Sequence, residues 1–130
     1  MAEYLLDDMK GLVLAAQNPP RLVAVTGSPP QAAIEPLFNV PKTIQIISDR
    51  LDLSLSEAKQ FVYEVMLGLA DGDYYETSPV PPPPADVYGT FAQAIGWYIK
   101  FKILIAPRLN ICGFHPPERP FRTRCGSTIR

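Results

Sequence analysis

The stretch from Gly96 to Pro120, GWYIKFKILIAPRLNICGFHPPERP, constrains the fold more than any other part of the chain. Trp97, Ile99, Phe101, Ile103 and Ile105 alternate with Tyr98, Lys100, Lys102 and Leu104, so an extended backbone puts an apolar row on one face and a largely polar row on the other. Such a strand is covered on one side only. After a break at Ala106-Pro107-Arg108, a second apolar run from Leu109 to Phe114 stops at His115-Pro116-Pro117, because prolines cannot donate to a ladder. The two runs predict an antiparallel hairpin. If helices cover the Trp97 row, Tyr98, Lys100 and Lys102 share the open face within about 14 Å of strand, an arrangement suited to a polyanion.

The helices that could cover that row lie upstream. Tyr4 to Gln17 carries Leu5, Met9, Leu12 and Ala16 at helical spacing and stops at Asn18-Pro19-Pro20. Arg21 to Thr26 reads as a short strand and Gln31 to Pro41 as loop. A second helix is expected over Lys42 to Leu51, with Ile44, Ile47 and Leu51 on one side. Ser54-Leu55-Ser56-Glu57 is a capping box that starts a third, whose face of Leu55, Ala58, Val62, Val65, Met66 and Leu69 runs toward a stop at Gly72. Asp71 to Thr77 reads as a turn. The prolines at 79 and 81–84 read as an extended spacer between the helical and sheet halves, or as a ligand for a proline-reading domain. Asp86 to Phe91 is a further strand, returned to Gly96 as a meander. The pattern predicts an α+β domain, with two to three helices on one face of a small antiparallel sheet.

At 130 residues the chain suffices for one domain with a single core. No apolar run approaches a membrane span, and the acidic start MAEYLLDDMK is unlike a secretory leader, so a cytoplasmic protein is expected. Cys112 and Cys125 form no metal-ligand or redox spacing and are expected as reduced thiols. The net charge of −1 hides an asymmetry. Residues 1–94 hold five Lys and Arg against twelve Asp and Glu, net −7; residues 95–130 hold seven against Glu118 alone, net +6. The hairpin and tail are therefore the end expected to meet phosphates, with the acidic half facing away. Mutual neutralisation of the two halves is the plain alternative.

The succession of a helix ending in LGL, the turn DYYET, the strand DVYGTF, then WYIKFKI and ICGFHPPERPF resembles the MqsR-type toxins of bacterial toxin–antitoxin systems, whose fold is similar to the RelE ribonucleases. The resemblance covers about 42–121. It leaves 1–41 as a divergent N-terminal helix and insertion and 122–130 as a basic tail. Glu76 stands where some members carry a lysine, and Ala85 near where some carry a glutamine. The resemblance implies a metal-independent endoribonuclease that needs no cofactor, cuts messenger RNA and is silenced by a cognate antitoxin. It implies no membrane partner and no DNA contact except through the antitoxin.

Cleaving RNA without a metal requires the neighbouring 2′-OH to attack the phosphate, a base to take its proton, an acid for the leaving oxygen and donors for the developing charge. His115 is the only histidine and stands at a strand end, so it is the candidate acid or base. Lys100 and Lys102 would stabilise phosphate and transition state, with Tyr98 as orienter or stacking ring. Arg119, Arg122 and Arg108 are candidate RNA contacts, and Tyr74 and Tyr75 candidate groove walls. Strict alternation, however, puts His115 on the covered side with Leu109 and Ile111. The strand must end or twist near Gly113 for it to join the lysines. A non-catalytic module that keeps this fold and binds protein or RNA is the competing expectation.

Overall fold

Three helices lie against one face of a five-stranded sheet in the computed structural model, which describes residues 2–17, 36–40, 42–105 and 107–130. The elements are α1 (Leu6–Gln17), β1 (Leu37–Phe38), α2 (Thr43–Leu51), α3 (Leu55–Leu67), a 3₁₀ turn (Asp71–Asp73), β2 (Tyr74–Ser78), β3 (Ala85–Ala92), β4 (Ile95–Leu104), β5 (Arg108–His115), β6 (Phe121–Arg122) and β7 (Thr128–Ile129). The sheet order is β1-β5-β4-β3-β2, antiparallel throughout except that β1 runs parallel to β5. The fold is α+β. Among the described residues no helix is long and apolar enough to cross a membrane.

The capping box forms as the spacing predicts. Glu57 N–H donates to Ser54 Oγ at 3.1 Å and Ser54 N–H to Glu57 Oε1 at 3.0 Å, and the Ser54 backbone N–H, followed by the Ser54 hydroxyl, holds the Glu57 carboxyl below its usual range. From there α3 buries Ala58, Phe61, Val62, Tyr63 and Met66. Phe61 meets Trp97 edge-on at 5.5 Å, so the helix does cover the Trp97 row. Leu55 stays exposed, and the helix stops at Gly68 rather than Gly72, where the Gly68 N–H closes the last turn onto Glu64 and Val65. α2 ends where Asp52 turns left-handed at φ 54. In α1 it is Met9 and Val13 that are fully buried, while Leu5 faces solvent. The first helix is thus part of the core.

The stretch read as a turn, Asp71 to Thr77, is a 3₁₀ turn followed by edge strand β2. The prolines that follow join β2 directly to its neighbour β3, so they form a hairpin loop within the sheet and not a spacer between halves. Gln93 and Ala94 connect β3 to β4 with φ of 55 and 59, the positive pair that a two-residue hairpin requires. Ile105 sits at the β4–β5 turn and is fully exposed, although it continues the apolar alternation. Arg21 to Thr26 lies outside the described residues.

Both chain ends are tied to the sheet. Asp86, fully buried on the helix side, accepts hydrogen bonds from Glu3 N–H and Tyr4 N–H at 2.9 Å each and from Thr77 Oγ1 at 2.6 Å. The basic tail is not loose: β6 and β7 pair and fold back over the opposite face of the sheet. They come so close that a Cβ on Gly89 would lie 2.5 Å from the Phe121 ring and one on Gly96 would collide with the Arg130 backbone. Only glycine permits that approach.

Candidate active site

The register of β4 against β5 resolves the parity of His115. Phe101 faces Ile111 and Lys100 faces Gly113, so Cys112 is an extra residue, a β-bulge. Past the bulge every side chain changes face. Phe114 drops onto Ile99 in the core, and His115 emerges beside Tyr98 on the open side. The imidazole stacks on the Tyr98 ring with centroids 5.0 Å apart and planes 19° apart.

The imidazole also has a defined proton. His115 Nδ1 lies 2.8 Å from the Pro116 carbonyl oxygen, which can only accept, so Nδ1 carries hydrogen and Nε2 is left to exchange a proton with a ligand. A Cβ on Gly113 would lie 3.6 Å from Nε2 and 3.8 Å from the Lys100 Cβ. The ring therefore leans back along β5, with Nε2 above Gly113 next to the stem of Lys100.

A second bulge shapes the other wall. Tyr74 pairs with Tyr88 and Glu76 with Val87, so Tyr75 is the extra residue of β2. Its ring lies 4.6 Å from Phe121, and Phe121 meets Tyr98 edge-on at 5.8 Å, giving an aromatic chain from Tyr75 to His115. These residues, with Glu76, Glu118, Arg119 and the prolines at 117 and 120, line a cleft of about 360 Å³. Burial first, and then the charge of Glu76, push the Tyr98 phenol above its ordinary range, so it stays protonated and able to donate at neutral pH.

The structure thus brings His115, Tyr98, Lys100 and Arg119 to one region and removes others from it. Neither lysine lines the cleft itself: Lys100 stands beside it, next to the His115 ring over Gly113, whereas Lys102, only 8% exposed, is two residues further along β4. Tyr74 is on the core side, its hydroxyl 2.8 Å from Thr77 Oγ1 and its ring 4.7 Å from the Arg124 guanidinium; Tyr75 takes the wall position instead. Arg108 opens β5 at the end away from His115, about 23 Å along the strand. Arg122, on β6, donates through Nε to Gly126 O at 3.2 Å and braces the C-terminal hairpin. Burial pushes the Cys112 thiol up while Lys102 and Lys100 draw it down, which suits a packed thiol at a bulge.

The acidic half does not face away entirely, because Glu76 reaches the cleft from β2, and Glu118 joins it. Phe121 was not foreseen; glycines inside the strands at 89 and 96 are the signal that something packs close on that face. No group of acidic, histidine and cysteine side chains that could hold a metal occurs among the described residues. The chain matches no family model, no curated protein and no solved structure.

Proposed function

We propose that this chain is an endoribonuclease toxin of the MqsR type, cutting messenger RNA in the cytoplasm by 2′-OH attack on the adjacent phosphate and restrained by a cognate antitoxin. The observation that carries the reading is the Cys112 bulge, which stacks His115 on Tyr98 and hangs Nε2 beside Lys100. In that arrangement His115 exchanges the proton, Lys100 stabilises the phosphorane charge, and the Tyr98 hydroxyl donates to a phosphate oxygen. Arg119 at the rim holds a flanking phosphate, and the exposed ring of Tyr75 offers a stacking surface for a base. None of these roles draws on a metal.

Two carboxylates in a cleft meant for a polyanion favour a second reading, a binding module without catalysis. Induced expression separates them. Wild type is expected to arrest growth and to leave new 5′ ends in cellular messages by primer extension, while a Lys100→Ala, His115→Ala double variant that accumulates equally does neither. A folded, abundant wild type that leaves growth and messages untouched sinks the ribonuclease reading and leaves the module.

A further inference from the structure

We propose that Glu76 is the general base of this site and His115 its general acid, with Lys100 between them. The inference rests on the ribonuclease reading above and divides its labour. The sheet register supplies the geometry: Glu76 pairs with Val87, Val87 with Lys100, and Lys100 with Gly113, over which His115 Nε2 hangs. These positions form one row across four strands. At about 4.8 Å per strand, Glu76 stands roughly 10 Å from Lys100 and 14 Å from Gly113 at the backbone, with both side chains reaching over the same face. Val87 beneath them is fully buried and apolar, so it brings no competing polar group.

That row has the order an in-line displacement needs. The base must sit on the side of the attacking oxygen, the acid on the side of the leaving oxygen, and a cation by the equatorial oxygens between. Glu76 accepts the 2′-OH proton as the O2′–P bond forms. The P–O5′ bond breaks as His115 Nε2–H gives its proton to O5′. The products are a 2′,3′-cyclic phosphate and a 5′-OH, and no oxidant, metal or further reactant is consumed. A carboxylate that would otherwise repel the substrate thereby becomes part of the chemistry. Glu118, also in the cleft, stands in the loop after His115, off the row.

Two substrates distinguish base from acid. One is an ordinary RNA oligonucleotide cut by the wild type; the other has sulfur in place of the scissile O5′, a leaving group that needs no proton. On ordinary RNA, Glu76→Gln and His115→Ala are each expected to lose about 10²- to 10⁴-fold in single-turnover rate. On the thio substrate His115→Ala recovers to near the wild-type rate, whereas Glu76→Gln stays defective by the same factor. Thermal midpoints and RNA-binding midpoints of the variants check that the cleft survives. A Glu76→Gln enzyme within about threefold of wild type on ordinary RNA, or one rescued by sulfur, overturns the assignment while the ribonuclease reading stands. A wild type that cleaves neither substrate overturns both.

Discussion

Replacing Trp97 by alanine is expected to cost about 3–5 kcal/mol of folding stability. Trp97 has no exposed surface, touches Phe61 and Phe114 with ring centroids at 5.5 Å and 5.1 Å, and its Nε1–H donates to Ala92 O at 3.0 Å. Alanine would leave a cavity where α3 meets β4 and β5 and would remove the indole hydrogen bond to the Ala92 carbonyl. Against a total of about 5–15 kcal/mol for a domain, such a loss consumes a large share. In urea the unfolding midpoint should fall by roughly 2 M. Ile105→Ala is the control: it belongs to the same alternating row but is fully exposed, so its effect should stay within about 0.5 kcal/mol. A Trp97 variant as stable as that control would mean that the helices do not rest on this row.

Replacing His115 by alanine should do the reverse, removing about 10²- to 10⁴-fold of RNA cleavage with little change in stability. The ring lies at the surface of the sheet, half-buried, stacked on Tyr98 and bonded to the neighbouring Pro116 carbonyl. It fills no core volume. Cleavage by the variant should be lost in kcat with substrate binding largely kept, because the groups proposed to hold the RNA, Lys100, Arg119 and the Tyr75 ring, are left in place. An equal drop in binding and rate would recast the imidazole as a docking group.

These two residues also show how far the sequence could be followed. The Trp97 row and the Ser54 capping box were legible because period-two alternation and a four-residue box are local signals whose outcome needs only a covering partner. The face of His115 was not legible by counting. One bulged residue shifts the parity of all that follows, and nothing in Asn110-Ile111-Cys112-Gly113 beyond the glycine marks it. β2 was hidden for a related reason: Asp71-Gly72-Asp73 supplies turn chemistry, and the strand exists only because β3 offers it a ladder. β1 is two residues long and is recruited by β5. The charge count marks 122–130 only as a basic tail, yet Phe121 and Ile129 anchor it over glycines that left them room. The family resemblance marks Glu76 only as standing where some members carry a lysine; the row across the sheet is what suggests a use for it.

The chemistry of the cut ends decides whether side chains meeting on the open face of the sheet cleave RNA by themselves. Purified wild type is incubated with a defined RNA in excess chelator, and the termini are read by mass spectrometry. Cleavage undiminished by the chelator is expected, with a 2′,3′-cyclic phosphate on one fragment and a 5′-OH on the other. No cleavage by the folded protein, or chelator-sensitive cleavage that leaves a 5′-phosphate, would contradict that expectation.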